Sequence, residues 1–362
     1  METAKQKRRI VIKIGSNVLA RPDGLPDLVS MASIVDQTAS LHKDGVEVIL
    51  VSSGAVAYGR KEIEAGEHLD QVSARQLYAA VGQAKLLQNY YSLFRNYGIT
   101  CGQVLTTKES LSTRSHYLNQ RNCLHTMLQC GVIPIINEND AISVTELMFT
   151  DNDELSGLIA TMMNADMLLI LSNVDGIYAG NPKEGAPLIE CVDSDNRDMS
   201  DYVSTGSSSF GRGGMLTKSR IASKVADEGA DVVIANGRTP GIITGAILKG
   251  PDKIRCTHFI PSHKISGVKK WIAHSEDFAK GEIHIDAGTS EALQASKAVS
   301  LLPVGVTGIT GNFEAGDIVR IIDPDGRQIG VGKAMYGSAA ALKTIGRKGQ
   351  RPIIHYDYLY LD

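Results

Sequence analysis

The sequence predicts an α/β protein: a mostly parallel sheet sandwiched by helices, followed by a small C-terminal β-barrel. Three observations lead there. Short apolar runs alternate with longer helical patterns through roughly the first 250 residues. The runs are continuously apolar rather than alternating, which marks strands buried on both faces of a parallel sheet. Past residue 280 the pattern changes to short strands separated by glycine turns, among them Gly311-Asn312 and Asp325-Gly326.

Taken in order, residues 9–14 (RIVIKI) read as a buried strand and 28–43 as an amphipathic helix. A second strand follows at 46–51, a long helix at 73–97 and a third strand at 100–105. The alternation continues with a helix at 114–130 and strands or helices at 132–136, 154–164, 167–171, 215–228 and 231–235. The barrel strands are expected at 283–285, 306–307, 318–322, 329–333 and 353–354. The Ser/Gly-rich run 204–214 reads as a mobile loop, because a helical pattern resumes directly after it. A chain of 362 residues exceeds one ordinary core, so two domains are expected, 1–275 and 276–362.

Composition narrows the function. With 43% hydrophobic residues, 21% charged residues and a net charge of −3, the chain lacks a field that would gather nucleic acid or anionic lipid. Five scattered cysteines without a C-x-x-C pair fit reduced thiols in a cytoplasm better than a disulfide frame or zinc site. The polar, basic N-terminus runs straight into a strand and shows no signal-peptide or spanning stretch. A cytoplasmic protein is therefore expected.

In an open parallel sheet, ligands sit beyond the carboxyl ends of the strands. Five constellations fall at such places. In Val11-Ile12-Lys13-Ile14-Gly15-Ser16 a lysine sits inside an apolar strand, so its ammonium either enters a polar cleft or snorkels to solvent. Ser52-Ser53-Gly54-Ala55 offers backbone N–H groups at a helix start, a seat for an anion or a routine capped turn. Asn137-Glu138-Asn139-Asp140 follows a strand with four polar residues, suited to an amino group or to a solvated turn. Thr150-Asp151-Asn152-Asp153-Glu154 opens a helix, where Asp153 either orients cationic side chains or complements the dipole. Phe210-Gly211-Arg212-Gly213-Gly214-Met215-Leu216-Thr217-Lys218 is a glycine-rich loop that lets backbone approach a polyphosphate, with Lys218 as a point charge.

The chain holds no Walker A loop, no G-x-G-x-x-G after a strand, no G-x-S-x-G elbow and no H-E-x-x-H spacing. Two lysines, glycine-rich backbone and an organising aspartate are instead the parts that phosphoryl transfer requires.

Together these residues resemble the amino acid kinase family, and within it the branch that phosphorylates the side-chain carboxylate of glutamate. The resemblance runs through K-I-G-S, V-S-S-G-A, I-N-E-N-D, D-N-D and G-G-M-x-T-K in order, then a barrel similar to a PUA domain. It implies an eight-stranded, mostly parallel sheet, ATP and Mg²⁺ as cofactors, and L-glutamate 5-phosphate as product, in the first step of proline synthesis. It places Lys13 and Lys218 beside the transferred phosphoryl, with Asp153 holding both. Ser53, Asp140 and Asn152 match glutamate-binding positions. Lys13, Ser172, Asn173 and Arg212, Gly213, Gly214, Met215, Leu216, Thr217 and Lys218 match nucleotide-binding positions. Ser172-Asn173 stands where the family often has Thr-Asp, and Arg212 where it commonly has Thr. No resident metal ligand is implied. The resemblance further implies a homo-oligomer, proline as feedback inhibitor and hand-over of product to a reductase.

The rivals are an aspartate, acetylglutamate or uridylate kinase of the same fold, or an RNA-binding PUA protein. The barrel favours the glutamate branch. Residues 281–362 carry eight Lys/Arg against nine Asp/Glu, which argues against RNA as main ligand.

Overall fold

Side chains alternate along a strand, so Ile10, Ile12 and Ile14 share one face of the first strand while Val11 and Lys13 share the other. That division organises the N-terminal unit. A computed structural model describes residues 7–64, 69–108, 111, 114–142, 152–193, 212–262, 272, 279–295 and 299–361, the side chains at 114, 115, 183, 212–214, 294 and 295 excepted. The chain divides into two compact units, Met1–Lys264 and Ile265–Asp362.

Among the described residues of the first unit, eight strands form one sheet. They are β1 (Arg9–Ile14), β2 (Glu47–Ser52), β3 (Cys101–Thr106), β4 (Ile133–Glu138), β5 (Met167–Ser172), β6 (Cys191–Val192), β7 (Asp231–Asn236) and β8 (Cys256–Phe259). Their spatial order is β3-β4-β2-β1-β5-β7-β8-β6. Every pairing from β3 to β7 is parallel, and β8 joins β7 antiparallel. In register, Lys13 lies between Val51 of β2 and Ile170 of β5, near the carboxyl ends of three adjacent strands.

The helices of this unit include α1 (Leu28–Lys43), α2 (Ala55–Glu62), α3 (Gln71–Arg95), α4 (Arg114–Gln129), α5 (Asn152–Met162) and α6 (Arg212–Asp227). Asp27 and Asp70 start α1 and α3 by accepting the orphan N–H groups of Val29 and Ser30, and of Val72 and Ser73. One face of the sheet, with Ile10, Ile12, Ile14, Leu50, Ile135 and Leu169, packs on Met31, Val35 and Leu41 of α1 and on Leu86, Tyr90 and Phe94 of α3. Lys13 belongs to the opposite face, where it meets Asp153 of α5. No helix among the described residues is long and apolar enough to cross a membrane.

The second unit carries a separate sheet in the order β10-β9-β11-β12-β13, from β9 (Gly281–Ile285), β10 (Val306–Gly311), β11 (Ile318–Ile322), β12 (Gln328–Lys333) and β13 (Leu359–Leu361). Helices α7 (Ala287–Ala295) and α8 (Ser338–Leu342) accompany it. Its core gathers Ile283, Val319, Ile321, Phe313, Ile353 and Ile354.

The structure corrects several sequence expectations. β4 runs through Asn137 and Glu138, so these are buried strand residues rather than a turn after it. Residues 353–354 make only an isolated bridge through Ile354 to Leu301, and the last strand is β13. α6 begins at Arg212, so Arg212, Gly213 and Gly214 are helical in backbone rather than looped; their side chains lie outside the described residues, as does segment 204–211.

α2 and α3 cross at glycine. A Cβ on Gly82 of α3 would fall 1.8 Å from the Ala55 carbonyl oxygen and 2.4 Å from the Gly59 nitrogen, both backbone atoms of α2. Gly82→Ala therefore forces the two helices apart. Overpacking of this kind destabilises by about 1–3 kcal/mol or more, so the variant is expected to melt at lower denaturant than wild type. An unchanged midpoint in urea would show that the crossing is looser than described.

Candidate functional site

Lys13 is buried in β1, with a side chain only 6% exposed, and a lysine there requires a partner. The partner is Asp153, in the first turn of α5 and fully buried. Lys13 Nζ lies 2.6 Å from Asp153 Oδ1, and Lys218 Nζ from α6 lies 2.8 Å from Oδ2. One carboxylate thus binds an ammonium with each oxygen. Burial by itself would raise the Asp153 carboxyl, but the charges of Lys13 and Lys218 and their hydrogen bonds outweigh it and hold the group below the usual carboxylate range.

Close helix packing brings Lys218 there. Gly157, one turn beyond Asp153, has no Cβ; one placed there would sit 2.7 Å from Ile221 Cγ2 and 3.2 Å from Val225 Cγ2 on α6. The missing side chain lets α6 lie against α5, and Lys218 is one turn before Ile221.

Asn152, immediately before Asp153, ties this triad to the ends of two neighbouring strands. Its Nδ2 donates to Ser53 Oγ (2.8 Å), Asn137 Oδ1 (3.1 Å) and the Ser52 carbonyl (3.3 Å). Asn137 is held in turn, donating to Gln83 Oε1 of α3 at 2.8 Å and accepting the Glu138 N–H at 2.9 Å. Asn152 Oδ1 is buried and has no hydrogen-bond partner among the described residues. A buried acceptor left open points to a missing donor. Ser53, Asn137, Glu138, Asp140 and Asn152 line one cleft of about 1170 Å³, whose other wall is α2 and the first turns of α3. That volume exceeds an amino acid several-fold, so placed polar groups rather than shape must select the ligand. Arg75 of α3 donates to Asp140 Oδ1 at 2.9 Å.

On the other side of Lys13, Ser172 ends β5 and its hydroxyl faces Asn173 Oδ1 at 3.4 Å. Asp175, which sequence reasoning passed over, accepts from Asn236 (3.1 Å) and Tyr178 (3.0 Å) and pairs with Arg255 (2.8 Å). Its position just past a strand end was the signal available. Met215, Leu216 and Thr217 lie in the first turns of α6, with Leu216 exposed.

The structure thus brings Lys13, Asp153 and Lys218 into contact, and joins Ser53 to Asn152 directly. Asp140 shares the cleft of Ser53 and Asn152, while Ser172 ends β5, the neighbour of β1 in the sheet, and Asn173 follows it. Asn137, Glu138 and Arg75 also belong to the cleft, though as individual ligand contacts the sequence did not single them out.

Comparison with known proteins identifies the family. The amino acid kinase family matches residues 8–236 and the PUA domain residues 281–356. A glutamate 5-kinase of Bacteroides thetaiotaomicron is 59% identical over 355 residues, covering 98% of each chain. A glutamate 5-kinase of Chlorobaculum tepidum is 47% identical, covering 98% of this chain and 97% of the other. Among solved structures, an isopentenyl phosphate kinase superposes with a TM-score of 0.50 at 18% identity, over 70% of this chain and all of the other, which speaks to the fold.

The depressed Asp153 carboxyl has a sign that can be checked. Unfolded, it titrates at about 3.9; folded, it titrates lower, so its stabilising effect is complete above the unfolded value and disappears as pH falls toward the folded one. The melting-temperature gap between wild type and Asp153→Asn should hold from neutral pH to about pH 4 and close only below it. A gap that already narrows above pH 5 would mean that burial, not the lysines, dominates.

Proposed function

The chain belongs to the amino acid kinase family, and from that membership we propose that it transfers the γ-phosphoryl group of ATP to the γ-carboxylate of L-glutamate, giving L-glutamate 5-phosphate. The observation that carries this reading is the pair of ammonium groups held on one buried carboxylate beside a polar cleft. The full-length identity to glutamate 5-kinases supports the choice of acceptor.

The chemistry follows from charge. A side-chain carboxylate is ionised near neutral pH and attacks in line without a general base. What the reaction needs is position and cationic charge on the moving phosphoryl oxygens. In this reading Lys13 and Lys218 supply that charge and Asp153 keeps both in place. The triad bears a net charge of about +1, so it attracts the phosphoryl rather than merely tolerating it. Ser53, Asp140 and Asn152 hold glutamate, with the open Asn152 Oδ1 accepting from its α-ammonium. Ser172, Asn173 and the residues from Arg212 to Lys218 take the nucleotide.

Magnesium is read as arriving with ATP on its phosphates and water. Among the described residues no group of three or more His, Cys, Asp or Glu is placed to hold a metal ion, so none is assigned to one and no step passes through it. The free cysteines fit a reducing cytoplasm. The acyl-phosphate product is an activated carboxyl group suited to reduction, which fits the first step of proline synthesis followed by a reductase.

Trapping the acyl phosphate with hydroxylamine tests the acceptor. Among L-glutamate, L-aspartate and N-acetyl-L-glutamate, the first should give hydroxamate well above the others; equal turnover of the acetylated acid would overturn the role given to Asn152 and Asp140. Lys218→Ala tests the mechanism, with an expected loss of roughly 10²–10³ in kcat and a smaller change in KM. Asp153→Asn should lose a similar factor, and the double variant little more than either alone, since all belong to one unit. Near-normal kcat in either single variant would remove these residues from the chemistry.

A further inference from the structure

The cleft contains a charge arrangement that the proposed roles leave unused. The Asp140 side chain is 12% exposed, whereas that of Arg75, its partner at 2.9 Å, is 51% exposed. A guanidinium offers five N–H donors, and among the described residues Arg75 spends them only on Asp140, so donors remain to it on the wall of the cleft that both residues line. Two further cations line the α2 wall: Arg60, engaged over the Tyr78 ring at 5.6 Å, and Lys61; neither is paired with Asp140 as Arg75 is. Arg75 sits in the second turn of α3, whose start is fixed by the Asp70 cap and whose crossing with α2 is fixed at Gly82. Its backbone is therefore a rigid mount rather than a loop.

An α-amino acid head group carries an ammonium and a carboxylate on one carbon. A lone Asp140 would attract the first and repel the second. Paired with Arg75, it presents one negative and one positive group side by side, the electrostatic complement of a zwitterion. The open Asn152 Oδ1 supplies a second acceptor for the ammonium. We infer that Arg75 is a substrate-binding residue that receives the α-carboxylate of the acceptor, acting together with Asp140 on the α-ammonium. This rests on reading the cleft as the glutamate site. It makes the enzyme selective for a free α-amino acid at both charges of the head group, and it assigns the α-carboxylate a planar, two-pronged donor.

The test compares L-glutamate with 4-aminobutyrate, which keeps the amine and the reacting carboxylate but lacks the α-carboxylate. Wild type, Arg75→Ala and Arg75→Lys are assayed by ADP release, with thermal melts as control for folding. Arg75→Ala should raise KM for glutamate roughly 10- to 100-fold with a much smaller effect on kcat, as expected for one charge-assisted contact. Arg75→Lys should recover part of the loss. The preference for glutamate over 4-aminobutyrate, as a ratio of kcat/KM, should shrink by the same factor as glutamate loses.

Two results would overturn the inference alone: an unchanged KM for glutamate, or equal weakening of both acceptors, which would make Arg75 only a prop for Asp140. Wild-type protein without glutamate-dependent ADP release would take down the acceptor reading and this inference with it.

Discussion

A single buried carboxylate sets the terms for the first unit of this chain. Asp153 has no access to water, and taking an ion out of water is unfavourable by several kcal/mol unless geometry restores what is lost. Two ammonium groups restore it, one on each oxygen. The three elements that provide the triad, β1, α5 and α6, are far apart in sequence, so the triad exists only when the sheet and both helices have assembled. Removing Asp153 leaves two ammonium groups without their shared counter-ion, and breaking a buried pair in this way typically destabilises by about 3–5 kcal/mol. Stability and the proposed chemistry therefore draw on the same contacts.

Topology places everything else around that point. β4, β2, β1 and β5 are consecutive neighbours in the sheet and parallel, so their carboxyl ends open on one edge. Asn137 and Asp140 come from the end of β4 and the turn after it, Ser53 follows β2, Lys13 lies in β1 and Ser172 ends β5. The groups of the proposed acceptor cleft, Ser53, Asn137 and Asp140, come from the ends of β2 and β4 on one side of Lys13, and Ser172 from the end of β5 on the other. The Ser53 N–H donates to the Ile14 carbonyl and the Gly15 N–H to the Leu171 carbonyl, so the loop after β2 is tied to the end of β1 and the loop after β1 to the end of β5 by backbone bonds.

Much of this was legible in the sequence, for physical reasons. β1 and α1 were readable to the residue, because an unbroken apolar run and an amphipathic run leave few alternatives. Lys13 could be marked as unusual because a lysine in an apolar strand must find a charge. The residues left Asp153 open between orienting cations and complementing its helix dipole, and the family resemblance named it as the partner of Lys13, since nothing local reveals that it points inward. Asn137 and Glu138 look polar enough to end a strand, yet tertiary partners such as Gln83 and Asn152 satisfy the Asn137 amide inside it. β13 was missed because three residues near the end of the chain carry little pattern, and its pairing with β12 is what makes it a strand. Arg75 gave no signal, for a basic residue on an exposed helical face is ordinary until the fold sets it against Asp140.

The α2–α3 crossing also bears on how this cleft could be retuned. Ser53 enters α2, while Gln71, Arg75 and Tyr78 project from α3 into the same space, and the glycine contact locks the two helices into one body. The cleft thus has a fixed floor of strand ends and a separate interchangeable panel. Substitutions on the panel's open side rewrite the lettering without touching the buried triad, whereas changes in the strand-end loops disturb both. With the cleft read as the proposed acceptor site, an enzyme designer would find the editable alphabet on one helix face, between residues 71 and 78.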